Sequence, residues 1–547
     1  MGKDSSGNGN YWTTNNLALT NSVIDTPLNN FATLNPLNRQ LTGINNKGNL
    51  RVATTVNTNV FRVATFPVEH NAYFEITATA NARFWLLWGQ TIDDWANWLN
   101  SSSSYFLLNS GGAPTSVNTT ISQSLVPSWA NWDIISFIWN ATDKTLTVLK
   151  NNSQISVITV TNSSANPSLL VANSTSSLTT DISVNFWQWW QSGLTYYPDA
   201  GGKFKFQPPS GFKALSTANL PDPTIKNPKL FFDVLTYTGN HPSSQTLTWL
   251  SFSPDLVWIK GRDYADFHTL YDTVRWATKS VSSEQTTTEV TRSNALTAFT
   301  SNGFSLGSDT VVNYWGHPLV AWNWKKWTTP GFDIVSYTGS SSNTTIAHGL
   351  NAAPKMIIVK WRTNLSASTM QWDVWHTSLA WTELIVLNST GAKYTQTNVW
   401  NSTAPWINTF SLWNAAAVNY LNDNYIAYLW SEVPGFSKFG SYTGNGSTDG
   451  PFVYTEFRPR YIMVKRTDVA YGWMIFDTER DKFNLSWLSL YPHWNNAEGD
   501  NRPWGDWDIL SNGFKIRFGP NYSYNTSGWT YIYAAFAEAP FKYANAR

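Results

Sequence analysis

Cysteine is absent from the 547 residues. Without a thiol the chain forms no disulfide, no thiolate metal site and no cysteine nucleophile. Charge is scarce as well. Asp, Glu, Lys and Arg make up 13% of the chain, about half of the ~25% usual in soluble proteins. Lys and Arg (36) balance Asp and Glu (35) to a net +1, so the composition carries no electrostatic footprint for nucleic acid or an anionic membrane. No apolar run approaches the ~18 residues of a membrane helix. The first ten residues, Met1-Gly-Lys-Asp-Ser-Ser-Gly-Asn-Gly-Asn, are polar and Gly-rich and lack the apolar stretch of a signal peptide. Seven scattered histidines show no HExxH or paired spacing, no EF-hand-like acidic loop occurs, and no Walker or dinucleotide fingerprint is present. Neither metal nor cofactor is therefore expected.

Aromatics are abundant, at 16% with 32 Trp, and the C-terminal half is ordered by a pattern written three times. Phe232-Asp-Val-Leu-Thr-Tyr237-Thr-Gly239, Phe332-Asp-Ile-Val-Ser-Tyr337-Thr-Gly339 and Phe439-Gly-Ser-Tyr442-Thr-Gly444 open the copies. Pro254-Asp-Leu-Val-Trp-Ile-Lys260, Pro354-Lys-Met-Ile-Ile-Val-Lys360 and Pro459-Arg-Tyr-Ile-Met-Val-Lys465 follow, then Tyr271-Asp-Thr, Trp375-His-Thr and Phe476-Asp-Thr. Phe304, Phe410 and Phe514 precede Asn313, Asn419 and Asn525. Each copy closes on an apolar run, Leu319-Val-Ala-Trp322, Tyr425-Ile-Ala-Tyr428 or Tyr531-Ile-Tyr-Ala534. Tandem units suit an adhesive or structural protein better than an enzyme, which needs one site.

The runs read as strands because they are β-branched and aromatic and are bounded by turn residues. The glycines of Tyr442-Thr-Gly444-Asn-Gly446 read as a hairpin turn. One short helical candidate, Ile92-Asp-Asp-Trp-Ala-Asn-Trp98-Leu99, places Trp95, Trp98 and Leu99 on one face. The organisation expected is a flexible arm at 1–10, a non-repeated β-sandwich at 11–215, a Pro-rich linker at 216–229 and β units at 230–329, 330–434 and 435–547. The fold class is all-β: a jelly-roll sandwich followed by three tandem related β-sandwich-like domains.

Candidate contact residues are the tryptophans set among polar residues: Trp95 and Trp98 beside Asp93 and Asp94, and Trp487, Trp494, Trp504 and Trp507 in or beside Tyr491-Pro-His-Trp-Asn-Asn-Ala-Glu-Gly-Asp-Asn-Arg-Pro-Trp-Gly-Asp-Trp. An exposed indole stacks on the apolar face of a sugar ring or anchors a subunit interface. A buried indole fills a core. Asp93-Asp94 and Asp506/Asp508 are the only carboxylate pairs that tempt a glycosidase reading, and helix capping or solvation accounts for the first, so no catalytic residue is assigned.

Ala72-Tyr-Phe-Glu-Ile-Thr, Asp133-Ile-Ile-Ser-Phe-Ile-Trp, Lys144-Thr-Leu-Thr-Val-Leu-Lys-Asn and Val184-Asn-Phe186 resemble the SPRY-like, concanavalin-type jelly roll. The Trp187-Gln-Trp189-Trp190 cluster departs from that pattern. Asp4-Ser-Ser-Gly-Asn-Gly-Asn10-Tyr-Trp12, Asp25-Thr-Pro-Leu-Asn-Asn-Phe-Ala-Thr-Leu-Asn-Pro36, Pro209-Ser-Gly-Phe-Lys-Ala-Leu-Ser-Thr-Ala-Asn-Leu-Pro221, the Tyr-Thr-Gly copies and Ala535-Phe-Ala-Glu538-Ala-Pro540-Phe-Lys-Tyr-Ala-Asn545 are together similar to tail-fibre-like virion proteins of marine tailed phages. The resemblance implies a virion protein of a fibre or spike appendage, adhesive in host attachment. It implies self-association as a homo-oligomer, a trimer by analogy with fibres, and contact with other virion proteins and a host surface glycan. It implies neither nucleic-acid binding nor membrane insertion, and it supplies no catalytic residues. An architectural subunit of a head or filament and a glycan-degrading enzyme are the alternatives.

Overall fold

The computed structural model describes residues 31–34, 44–46, 50–54, 60–64, 68, 70–77, 83–88, 104–109, 115–117, 120–124, 129–159, 167–173, 180–186, 194–365, 371–499, 507–517 and 524–544. The chain is all-β apart from single helical turns such as Thr310–Asn313 and Ala416–Asn419. It divides into two compact units, 1–222 and 223–547.

The first unit is a jelly-roll-type sandwich of two main sheets. In the larger, Ala72–Thr77 pairs with Ile134–Asn140, which turns tightly into Thr145–Lys150. Asn151 and Asn152 take positive φ in the next turn, as Asn tolerates. Glu75 is buried yet fully used. Its carboxylate accepts from Tyr73 Oη, Asn185 Nδ2 and the backbone N–H groups of Lys205 and Phe206. It thereby pins the segment after Gly202–Phe204 to the sheet.

In the second unit the same strand order appears in successive sheets. Phe232–Thr238 lies beside Pro318–Trp324, Leu256–Gly261 and Thr269–Asp272. Phe332–Thr338 lies beside Asn424–Trp430, Met356–Trp361 and Asp373–His376, and Ser437–Thr443 beside Thr530–Pro540, Phe457–Arg466 and Trp473–Asp477. The register repeats as well: Leu256 opposes Trp324, Met356 opposes Trp430, and Tyr461 opposes Phe536.

The uninterrupted apolar runs have a physical cause, because these sheets are buried on both faces. Along Met356–Trp361, Ile357, Val359 and Trp361 point into the second segment's own sandwich core. Met356 and Ile358 point the other way, into a core to which all three segments contribute. Leu256, Trp258, Val320 and Trp322 of the first segment and Tyr461, Met463, Ile532 and Ala534 of the third face that same core. At register-equivalent positions Trp324 meets Trp430 with ring centroids 6.2 Å apart and Phe536 at 5.7 Å. Each such aromatic withdrawn from water contributes roughly 1.5–3 kcal/mol.

The Tyr-Thr-Gly signature closes each sandwich. The hydroxyls of Tyr237, Tyr337 and Tyr442 donate to the carbonyls of Val312, Val418 and Tyr524, each the residue before the repeated Asn. A Cβ on Gly239 would lie 2.0 Å from the Tyr314 carbonyl oxygen, and one on Gly339 2.0 Å from that of Tyr420. Asn313, Asn419 and Asn525, all buried, accept from the backbone N–H groups of Asn240, Ser340 and Asn445. The hairpin expected at 442–446 is therefore corrected. Ser437–Thr443 pairs with Thr530–Pro540, and the turn leads into Phe452–Tyr454, which joins a different sheet. A Gly-rich turn is permissive for a hairpin, but the Asn525 side chain takes the backbone groups a hairpin partner would use.

Candidate functional site

The polar residues of the second unit gather where the segments meet. Strand registers place Asp272, His376 and Asp477 at one equivalent position, opposite Leu256, Met356 and Tyr461. Each reaches the next segment's closing strand. Asp272 accepts from Tyr428 Oη at 2.8 Å, Asp477 from Trp322 Nε1 at 2.9 Å, and His376 Nε2 sits 3.1 Å from the Tyr533 carbonyl. The first segment thus contacts the second, the second the third, and the third the first. Backbone links run around the same ring. Glu289 N–H donates to Arg362 O, Lys393 N–H to Thr467 O and Glu498 N–H to Arg262 O.

Asp272 is neutralised by Arg275 at 2.6 Å and Asp477 by Arg480 at 2.5 Å, with both pairs fully buried. Arg480 and its neighbours hold the Asp477 carboxyl below the usual range despite the opposing effect of burial. Lys260, Lys360 and Lys465 are completely buried and meet backbone carbonyls in place of carboxylates: Gly261 and Tyr264, Gln285, and Thr390 and Gly391 respectively. Burial brings Lys260 down to about 8 and Lys360 and Lys465 down to about 7. Burial also raises Glu284 and Asp373 to about 7 and lowers His493 to about 4. A strongly perturbed titratable group marks a catalytic site only when it faces a cleft. Here Lys360 and Lys465 cap carbonyls of the preceding segment and help fix the ring, whereas Lys260 caps carbonyls of its own segment. Among the described residues no cluster of His, Asp and Glu could hold a metal ion, and no helix is long and apolar enough to cross a membrane.

The contact candidates fall in different places. Trp95, Trp98 and Trp504, with Asp93, Asp94 and Asp506, lie outside the described residues. Trp507 is corrected. It is fully buried, packs on Phe476 at 5.0 Å and Phe514 at 5.3 Å, and belongs to the third segment's core. Its alternation with polar neighbours is the period of a strand, Trp507–Leu510, whose indole faces inward. Asp508 is tied to Arg517 at 3.3 Å. Trp487 is half-buried, with its backbone N–H donating to Asp481 Oδ2. Trp494 is exposed and leans on His493, with ring centroids 4.5 Å apart, and on Tyr491 at 5.9 Å. Among the described tryptophans of this loop Trp494 is the exposed one.

More exposed tryptophans stand elsewhere. Trp276, Trp315, Trp406 and Trp132 are each about as exposed as a surface polar residue. The first three lie in loops of the second unit. Trp315 immediately follows Tyr314, whose ring stacks on His317 at 4.3 Å. The signal that could have found Trp276 and Trp315 is a comparison between copies. Four places after the equivalent Asp272, His376 and Asp477 come Trp276 in the first segment, Ala380 in the second and Asp481 in the third. An indole that its counterparts do without is not a core requirement.

These features define an all-β protein in which a jelly-roll unit is joined to a unit of interlocked sheets, with aromatic side chains displayed on loops. A family model described as Domain of unknown function (DUF7483) matches residues 227–540, more than half of the chain, and the chain belongs to that family. No curated protein matches it. Among solved structures, the SPRY domain of human HERC1 is similar at 12% identity, covering 28% of this chain and 96% of that one, with a TM-score of 0.22. The acidic lectin of winged bean, solved with methyl-α-D-galactose, is similar at 10% identity over 28% and 90%, with a TM-score of 0.20. The carbohydrate recognition domain of Emp46p in its potassium-bound form is similar at 9% identity over 30% and 96%, with a TM-score of 0.19. At these scores the likenesses carry neither ligand nor activity over to this chain.

Proposed function

We propose that the chain is a structural, adhesive protein of a phage appendage, built by triplication of one β unit and used in host attachment without catalysing a reaction. The observation that carries the reading is the division of labour among side chains. Many buried ionic and histidine side chains of the second unit, among them Asp272, Lys360, His376, Arg460, Lys465 and Asp477, are used in ties between segments, whereas Trp276, Trp315, Trp406 and Trp494 stand exposed on loops. Large amphipathic rings held on a rigid scaffold suit repeated weak contacts, and several of them on one particle bind by avidity. The partners proposed are further copies of the chain, other virion proteins and a host surface glycan. The trimer suggested by fibre analogy acquires a competitor: one chain already encloses a three-part core, so a particle could carry it as a monomer on another protein's symmetry.

The test is imaging of intact particles together with binding of the purified chain to host cells. Location at an appendage tip and saturable binding support adhesion. A regular lattice position on the head, or no cell binding, would instead make the protein architectural. Release of oligosaccharides from host polysaccharide would reverse the non-enzymatic reading.

A further inference from the structure

One end of the second unit shows three equivalent corners built with different chemistry. Strand register defines the equivalence: Gly261 opposes Leu319, Trp361 opposes Tyr425, and Arg466 opposes Tyr531. Two residues beyond each of these, the chain must tie one loop to the next. The second segment does so with Thr363 Oγ1 donating to Asp423 Oδ1 at 2.9 Å. In the third, Asp468 accepts from the Thr530 N–H. In the first segment Asp263 Oδ1 meets His317 Nδ1 at 3.0 Å.

The first corner packs three rings, Tyr264, Tyr314 and His317, whereas the second keeps Tyr420 as the counterpart of Tyr314 and the third sets Arg466 over Trp529, the counterpart of His317. Gly261 stands where the others have Trp361 and Arg466, and a Cβ there would lie 2.4 Å from Tyr264 Cζ. The missing side chain lets the Tyr264 ring fold down against Tyr314 at 5.2 Å and His317 at 4.9 Å, both edge-on. The Tyr264 hydroxyl is buried with no hydrogen-bond partner, an arrangement that costs stability unless something else supplies the bond. Trp315, the neighbour of Tyr314, is 69% exposed, and its counterparts are Leu421 and Ser527. Since the other corners fold with Asn364 or Val469 in place of Tyr264 and with Leu421 or Ser527 in place of Trp315, folding does not account for those two rings.

We propose that Asp263, Tyr264, Tyr314, Trp315 and His317 form a binding site for a neutral hexopyranose of a surface polysaccharide. The indole and phenol faces match the C–H face of a pyranose. The Asp263 carboxylate, whose side chain is 49% exposed, has an oxygen beyond the His317 contact to accept sugar hydroxyls. An anionic sugar or a phosphate would face the Asp263 charge directly. This assignment rests on the adhesive reading and names where the glycan sits.

The experiment is saturation-transfer NMR on the full chain with the methyl pyranosides of glucose, galactose, mannose and N-acetylglucosamine, titrated to obtain Kd. At least one should bind, and Trp315→Ala and Asp263→Asn should each weaken it by about tenfold or more, as expected for loss of a stacked ring or a charge-assisted hydrogen bond. Trp406→Ala, at an exposed indole of the second segment, should leave Kd unchanged. All three variants alter exposed side chains and should keep the wild-type thermal midpoint. Pyranoside binding that survives both Trp315→Ala and Asp263→Asn, or that is lost with Trp494→Ala instead, overturns this site while leaving adhesion intact. Failure of every pyranoside to bind the wild type overturns the site too. Adhesion is then judged separately by cell binding.

Discussion

Tyr428 in the second segment donates its hydroxyl to Asp272 in the first, and Trp322 of the first donates its indole N–H to Asp477 of the third. Tyr428 and Trp322 occupy equivalent register positions on the closing strands, opposite Ile358 and Trp258. The third member, Ala534, has no donor, and there the carboxylate is replaced by His376, whose Nε2 donates to the Tyr533 carbonyl. Leu379 stands where the aspartates have Arg275 and Arg480 three residues on. A carboxylate, its guanidinium and its cross-segment donor are present together or replaced together.

Removing the donor alone should therefore be mild and removing the ion severe. Tyr428→Phe leaves Asp272 with Arg275 and should cost about 1 kcal/mol. Asp272→Asn strips a buried guanidinium of its main counter-charge and should cost about 3 kcal/mol or more. His376→Asp should be equally damaging and should be partly rescued by Leu379→Arg. Urea denaturation of the four variants against the wild type checks the order.

The shared core makes each segment dependent on its neighbours. An excised second segment, 330–434, would expose Phe332, Ile334, Tyr428 and Trp430, all buried in the parent. It is expected to give a collapsed or aggregated species with no dispersed NMR spectrum, whereas 223–547 should fold. A well-dispersed spectrum from the excised segment would mean that the joint core is dispensable.

Much of this architecture was legible in the sequence. The recurrence of Tyr-Thr-Gly, of Pro-x-x-x-x-x-Lys and of the closing apolar run located the strands, and their β-branched content gave the all-β class. The joint core was not legible. Runs such as Met356-Ile-Ile-Val-Lys-Trp361 show that both faces are buried, yet apolarity does not say against what. The buried Lys260, Lys360 and Lys465 were visible as a repeated letter, but a lysine at a strand end ordinarily reads as solvated. The role of Lys360 and Lys465 emerges only when carbonyls of the neighbouring segment, those of Gln285 and Thr390, are brought to them, while Lys260 meets carbonyls of its own segment. Trp507 was misread because a polar surrounding in sequence is also the signature of a half-buried strand. The Tyr264 nest was missed because its residues come from opposite ends of one segment.

The same three lysines predict an unusual pH profile. Each has a folded pKa, about 8, 7 and 7, lowered by burial from 10.5. Between those values and 10.5 the unfolded chain holds the proton that the folded chain has released, so stability rises with pH. Below about pH 7, Glu284 and Asp373, raised to about 7, favour folding as pH falls. His376 and His493, lowered to about 4, act in the opposite sense, and the window from 4 to 7 should be comparatively flat. Stability should climb from pH 7 to about 9.5, each lysine adding at most about 1.4 kcal/mol per pH unit. Lys360→Met should flatten the slope while leaving the Gln285 carbonyl with its Trp372 indole donor. A profile that falls between pH 7 and 9 would contradict the burial of these ammonium groups.

Trp494 and Trp507, both in or beside the same polar stretch, should respond oppositely to truncation. Trp507→Ala empties a site lined by Phe476 and Phe514 and should cost about 3–5 kcal/mol. Trp494→Ala removes an exposed ring that packs on His493 and Tyr491 and should change stability by about 0.5 kcal/mol or less. If the loop contributes to attachment, Trp494→Ala should reduce binding of the purified chain to host cells at an unchanged thermal midpoint, while Trp507→Ala should reduce it only where the protein has begun to unfold. The contrast separates contact from support, because a loss of binding that tracks the unfolding curve identifies a scaffold residue and a loss without it identifies a residue that meets the partner.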